Sequence, residues 1–304
     1  MPSHDVSHGR LLLLDSASLY FRAFFGIPKT LTAPDGTVVN ALRGILDFTS
    51  TLTTQYRPEA VVACWDDAWR PQWRVDLLDT YKTQRLDAEG GEADTTEGLL
   101  GPQVPLIAEA FGLLGIPVIG AADAEADDVI GTLAEAWGGP VDIVTGDRDL
   151  FQLVDDARDI RVLYVAKGVS NHDVVDNAWI RAKYGIDAAD YVDFAVMRGD
   201  PSDGLPGVAG IGDKTAAVLL KEFGDIDAIL AAAKDIRSSI TPRVRRSLLA
   251  SGDYITAARE VVAVRRDVCD VPDLSAAVDV EAFTTFGETW GLGGATERAL
   301  KALA

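Results

Sequence analysis

Residues 11–15 read Leu11-Leu12-Leu13-Leu14-Asp15, a short apolar run closed by a carboxylate. The same pattern returns twice: Val61-Val62-Ala63-Cys64-Trp65 runs into Asp66, and the apolar stretch 141–144 is followed by Asp147. Short apolar runs of this kind, separated by segments of helical period, predict an α/β unit built on a parallel sheet. The predicted strands are 11–14, 61–65, 117–119, 141–144 and 161–165, and the predicted helices lie near 39–55, 105–114, 123–137 and 148–154. In open α/β sheets ligands bind outside the carboxyl ends of the strands. A parallel sheet therefore brings Asp15, Asp66 and Asp147 to one edge.

More acids stand in short motifs nearby. EADD contributes Glu125, Asp127 and Asp128, TGDRD contributes Asp147 and Asp149, and GDPSD contributes Asp200 and Asp203. Two bare charges about 4 Å apart repel by roughly 4 kcal/mol at an effective dielectric near 20. If the motifs converge, cations must neutralise them, and an oxygen-only ligand set suits Mg²⁺ or Mn²⁺. The expectation is a site for two or three such ions. EADD also fits a plainer use, since acids in a first helical turn cap its free N–H groups.

The balance of 28 basic against 47 acidic residues gives a net charge of −19, which by itself repels a polyanionic partner. Local grouping weakens that objection: between Lys234 and Arg246 stand Lys234, Arg237, Arg243, Arg245 and Arg246 against the single acid Asp235. No apolar run reaches the roughly 18 residues of a membrane span, so no membrane partner is expected. Two cysteines, Cys64 and Cys269, read as free thiols of a reducing cytoplasm. His4, His8 and His172 fall outside every motif, which excludes a histidine base or a histidine-rich zinc site.

Segment 69–85 interleaves Arg70, Arg74, Lys82 and Arg85 with Trp69, Trp73 and Tyr81, a composition able to meet phosphates and stack on bases; taken by itself, a solvated surface face with partly buried rings explains it better. Residues 86–98 are acidic, glycine-containing and without apolar period, the mark of a loose segment. From about residue 192 the chain reads as helical. There Gly207-Val208-Ala209-Gly210-Ile211-Gly212 opens an apolar helix without the preceding strand or the glycine order of a dinucleotide fingerprint. It reads as a helix–hairpin–helix element holding a DNA backbone, or as a tight turn between two helices.

LLLLDSASLYFRAFF, EADDVIGTLA, VTGDRDLFQLV and GDPSDGLPGVAGIGDKTAAVLL together resemble the bacterial 5′-nuclease (flap endonuclease) family, whose domain also forms the N-terminal part of DNA polymerase I. The likeness runs from about residue 11 to 221, more weakly to 268. It implies a freestanding homologue with a PIN-like sheet, flanking helices, a helical arch and a C-terminal helix–hairpin–helix. The implied division is a tail over 1–10, an α/β nuclease core over 11–191 with the arch near 69–103, and a helical DNA-binding region over 192–304. By the same resemblance Asp15, Asp66, Glu125, Asp127, Asp128, Asp147, Asp149, Asp200 and Asp203 match the metal-site acids, with Asp67 an alternative to Asp66. Lys82 and Arg85 match the arch-base cations that meet phosphates. Arg22 matches a position near the active site, and Tyr20 one that could stack on a terminal base. Carbonyls of Gly207, Val208 and Ile211 match a K⁺ site.

The implied activity is metal-dependent hydrolysis of DNA phosphodiesters, as a 5′-3′ exonuclease and flap endonuclease. It would act as a monomer at 5′ flaps, nicked or gapped duplex and duplex 5′ ends, in cytoplasmic replication and repair. Two other readings compete: a PIN-like ribonuclease, which has no need of the glycine-rich hairpin, and a silent DNA-binding scaffold, which has no need of the acids.

Overall fold

The structure is a computed structural model that describes residues 8–86 and 96–304. The first seven residues of the expected tail, and 87–95 of the expected acidic segment, lie outside the described residues.

Six strands form one sheet in the order β3-β2-β1-β4-β5-β6. They are β1 (Leu11–Asp15), β2 (Ala60–Cys64), β3 (Val118–Ile119), β4 (Val141–Thr145), β5 (Ile160–Tyr164) and β6 (Asp173–Val175). The first five pair in parallel as expected. The sheet is nevertheless mixed, because β6 returns antiparallel along β5. That strand has three residues, with Val174 exposed, too short and too open to leave an apolar signature.

β1 lies at the centre, and its leucines alternate. Leu11 and Leu13 enter one hydrophobic core, Leu12 and Leu14 the other. All four are at most 2 % exposed, which follows from helices covering both faces of the sheet. Burying each stabilises the fold by about 1.5–3 kcal/mol.

The helices are α1 (Ser16–Gly26), α2 (Asn40–Tyr56), α3 (Gln72–Leu77), α4 (Thr83–Leu86), α5 (Thr96–Leu100), α6 (Gln103–Leu113), α7 (Ala126–Ala136), α8 (Asn177–Tyr184), α9 (Tyr191–Arg198), α10 (Asp213–Phe223), α11 (Ile226–Lys234), α12 (Pro242–Ala250), α13 (Gly252–Val262), α14 (Val280–Thr289) and α15 (Gly294–Leu303). The element expected near 148–154 is a short 3₁₀ turn, Asp149–Leu153. It follows the acid-bearing loop directly, with Leu150 and Phe151 buried beneath it.

α14 and α15 fold back onto the nuclease half, where Phe283, Phe286, Leu292, Ala295 and Ala299 join the core that holds α2. Arg298 on α15 closes this contact with a hydrogen bond to Asp47, Nε to Oδ1 at 2.9 Å. An apolar stripe on the last two helices has to be covered, and the outer face of α2 covers it. No helix among the described residues is long and apolar enough to cross a membrane.

Candidate metal centre and its acid edge

Three neighbouring strands deliver the first acids. Asp15 ends β1, Asp66 follows β2 by two residues, and Asp147 follows β4 by two. The strands β2, β1 and β4 are adjacent, so the three carboxylates meet at one edge. α7 starts above that edge and brings Glu125 and Asp127, while the 3₁₀ turn brings Asp149 and the loop after α9 brings Asp200 and Asp203. Glu125, Asp127, Asp149 and Asp203 line one narrow pocket.

Electrostatics bind the group together. Burial raises Asp15 to about 7, with the charges of Asp66 and Asp147 adding to the effect of burial, and a hydrogen bond from Thr145 opposing it. Burial also raises Asp127 well above the ordinary carboxylate range, assisted by Asp147, Asp15 and Glu125. Asp149 is raised in the same way by burial, then by Asp147, Asp203 and Asp200. Asp147 therefore bears on all three of these acids, and on Asp203 as well. Asp66, rather than Asp67, belongs to this network. Its Oδ1 accepts from the backbone N–H of Ala126 at 2.8 Å, whereas the carboxylate of Asp67 stands against Gly120.

The nine acids differ sharply in how their oxygens are satisfied. Asp128 is saturated. Its Oδ1 accepts from Arg74 Nη2 at 2.7 Å and Arg265 N at 2.9 Å, and its Oδ2 from Arg74 Nη1 at 2.8 Å and Glu125 N at 3.2 Å. It is fully buried, and with four donors on its two oxygens it caps α7 and pairs with Arg74. Asp200 is nearly as occupied, accepting from Ser202 N at 2.9 Å, Ser202 Oγ, Arg148 Nη2 at 3.1 Å and Arg198 Nη2 at 3.4 Å. Burial would raise it, yet the Ser202 bonds and the two arginines hold it below its ordinary value.

At the other extreme, Asp149 Oδ1 is buried and has no hydrogen-bond partner. No described residue donates to the Asp127 carboxylate either. A buried carboxylate oxygen left without a donor is costly, by about 1–3 kcal/mol or more when charged. Oxygens in that state fit a hard cation. As the side chains stand, however, no group of three or more acids, histidines or cysteines among the described residues is close enough to enclose an ion. Several of the acids lean instead on local donors.

Glu125 shows that leaning most clearly. Arg74 Nη1 at 3.2 Å, Tyr81 Oη at 2.7 Å and Lys82 Nζ all donate to it. Lys82, expected to meet a phosphate, is buried here as an internal counter-ion to Glu125. Arg85 is half exposed and reaches Asp203 Oδ1 at 2.6 Å. The two cations ride on a segment stitched to the GDPSD loop. Lys82 N donates to Asp203 O at 3.0 Å and Thr80 Oγ1 to Gly204 O at 2.7 Å. Gly204 has φ +73, and a Cβ there would lie 1.9 Å from Thr80 O, so only glycine lets the two backbones touch.

Arg22 is brought near the edge but hooks its Nη1 onto the carbonyl of Ala166 at 3.2 Å. Tyr20 sits beside Trp65, ring centroids 5.9 Å apart; burial, then Asp66 and Asp15, raise its hydroxyl. Sequence reasoning missed the residues that hold the acids, chiefly Thr145, Arg148, Arg198 and the backbone of Arg265. Thr145 and Arg148 carried a signal, both standing inside TGDRD.

Behind the edge, the hairpin 199–212 joins α9 to α10. Gly207 has φ +70, its N–H meets Tyr254 Oη at 3.0 Å, and its Cα packs so tightly that a Cβ would lie 2.6 Å from Arg198 O. Val208 O accepts from Ile211 N at 2.9 Å, closing the turn, and Arg243 lies over Gly210.

Two family matches tile most of this fold. Residues 10–185 match the 5′-3′ exonuclease N-terminal resolvase-like domain, and residues 186–283 the 5′-3′ exonuclease C-terminal SAM fold. The chain belongs to the 5′-3′ exonuclease family. A 5′-3′ exonuclease of Streptomyces coelicolor is 52 % identical over 300 residues, covering 96 % of this chain and 99 % of that protein. A 5′-3′ exonuclease of Mycobacterium tuberculosis is 46 % identical over 267 residues, 84 % of each chain. The fold is similar to that of the bacteriophage T5 flap endonuclease, crystallised as a pseudo-enzyme-product complex with DNA and metal ions. The TM-score is 0.66 at 17 % identity, with 97 % of this chain and 99 % of that one covered. Membership and fold are as the motifs implied, including PIN-like sheet and C-terminal helices.

Proposed function

We propose that this member of the 5′-3′ exonuclease family is a structure-specific 5′-nuclease that hydrolyses DNA phosphodiesters with divalent metal ions, as both a 5′-3′ exonuclease and a flap endonuclease. The observation that carries the reading is the buried Asp149 oxygen without a donor, set among acids that raise one another's pKa. Asp15, Asp66, Glu125, Asp127, Asp147, Asp149 and Asp203 are the ligand candidates, for two or three Mg²⁺ or Mn²⁺ ions. Such ions would supply a water-derived nucleophile and a charge sink for the departing 3′ oxygen.

The chain's own residues do the positioning. Arg85, exposed beside Asp203, can meet a phosphate directly. Lys82 can join it only by releasing Glu125. Asp200, held by two arginines, keeps the loop that presents Asp203 in place. Arg22 and Tyr20 stand where a strand end would arrive.

The hairpin and the bases Arg243 and Arg246, both exposed, would grip the duplex by its phosphates, with K⁺ at the carbonyls of Gly207, Val208 and Ile211. Recognition of this sort reads shape and not base edges. The substrates are then 5′ flaps, nicked or gapped duplex and duplex 5′ ends, met by a monomer in cytoplasmic replication and repair. The reading is tested by titrating Mg²⁺ and Mn²⁺ into cleavage assays on a 5′ flap, a nicked duplex, a blunt duplex and single-stranded RNA. Metal-dependent cutting at the flap junction is expected; equal rates on all four substrates, or cutting of RNA alone, overturns it.

A further inference from the structure

Beside the TGDRD turn a groove of about 480 Å³ opens between the β5–β6 edge and α8. Its walls carry Arg148, Tyr164, Lys167, Trp179, Lys183 and Tyr184. On a chain of net charge −19, three cations and three aromatic rings converge here. The one carboxylate in the groove, Asp173, is taken by Lys167 at 3.0 Å. Lys183 is exposed and makes no ion pair among the described residues.

The rings are firmly backed. Tyr164, Trp179 and Tyr184 each pack against the buried Phe151, with centroids 5.1, 5.6 and 6.5 Å away, and each stays partly exposed. Lys183 lies one turn beyond Trp179 on α8, so ring and ammonium share a face. Rigid rings beside cations, one of them unpaired, are the components that stack a base and hold its phosphate.

Position argues for the same ligand. Arg148 lines the groove while its chain neighbours Asp147 and Asp149 belong to the acid edge. At its other end α8 packs on α10, the helix that follows the glycine hairpin. The groove thus lies between the two places to which the nuclease reading sends DNA, and the inference rests on that reading. We propose that it is a nucleotide subsite, taking one base and its adjoining phosphate from a DNA strand that runs between the hairpin and the acid edge. Trp179 and Tyr164 receive the base; Lys183 and Lys167 receive the phosphate, with Asp173 orienting Lys167.

The test uses the full chain without divalent metal and a 5′-flap DNA bearing 5-iodouracil at successive positions. Irradiation is expected to cross-link one or two adjacent positions to peptides containing Tyr164, Trp179 or Tyr184. Lys183→Glu should weaken flap binding about three- to tenfold and lower the salt dependence by about one ion. Lys183→Arg should restore both. A wild-type protein that cuts the flap yet gives no cross-link in this groove overturns the subsite, as does an unaltered affinity in Lys183→Glu. Polyglutamate displacing the cross-link as readily as unmodified DNA would assign the groove to an acidic polypeptide and likewise overturn it. A wild-type protein that cross-links here but never cuts overturns the nuclease reading and leaves the subsite standing.

Discussion

Arg74 grips Asp128 with both terminal nitrogens, at 2.7 and 2.8 Å, and neither side chain is more than 3 % exposed. The same guanidinium reaches Glu125 and, through Nε, the carbonyl of Val261 at 3.0 Å. One arginine thereby ties the segment after β2 to α7 and to the end of α13. Removing one partner of a buried pair leaves the other charge stranded, typically at 3–5 kcal/mol. Arg74→Met should therefore lower the denaturation midpoint by an amount equivalent to about 3–5 kcal/mol. Asp128→Asn should likewise act first on stability, and thermal melts of both variants without metal provide the check.

Asp127→Asn and Asp149→Asn should behave in the opposite way. Each removes a charge that its neighbours repel, so the metal-free protein should melt no lower than wild type and could melt higher. Mn²⁺ binding by calorimetry should weaken sharply, cleavage of a 5′ flap should fall by about a hundredfold or more, and DNA affinity should persist. A variant with full cleavage at limiting metal contradicts the assignment.

The raised Asp15 sets a pH dependence whose sign can be worked out. Its pKa is about 7 in the folded chain against 3.8 for the free side chain. The folded state therefore holds the proton longer than the unfolded state, and stability without metal should decline as pH rises from about 4 to 7. Above that range the carboxylate is ionised and the contribution is gone. Metal binding needs the ionised form, so affinity for Mn²⁺ should climb over the upper part of the same interval, with proton release. Melting curves at pH 5.5 and 8, with EDTA and with Mn²⁺, should show the metal-induced gain growing with pH.

Gly204→Ala offers a test remote from the acids themselves. The new methyl would meet the carbonyl of Thr80 at a residue of φ +73. The strain, of order 1–3 kcal/mol, has to part the Lys82 segment from the Asp203 loop. Flap cleavage should drop at least tenfold while the circular dichroism spectrum stays that of wild type.

Much of this was legible in the chain because parallel strands write their acids at their own ends. Leu11–Asp15 announced both a strand and a ligand candidate, and Asp66 and Asp147 followed by the same rule. What sequence could not convey was the pairing of each carboxylate, since that depends on residues brought in from far along the chain. Asp128 looks like its neighbours in EADD, but Arg74 and the backbone of Arg265 reach it only after folding. Lys82 looked like a surface base until the fold set it against Glu125. β6 was hidden by its brevity, and the return of α14 and α15 onto α2 by the ordinary amphipathic pattern those helices share with any other.

The alternation along β1 has a cost that reaches the chemistry. Because successive leucines serve opposite cores, sliding this strand by a single residue would exchange their partners wholesale. Asp15, as the last residue of the strand, would be carried along by about 3.3 Å and turned toward the opposite layer. The accuracy with which the first carboxylate is aimed is thus inherited from greasy neighbours that never approach the substrate.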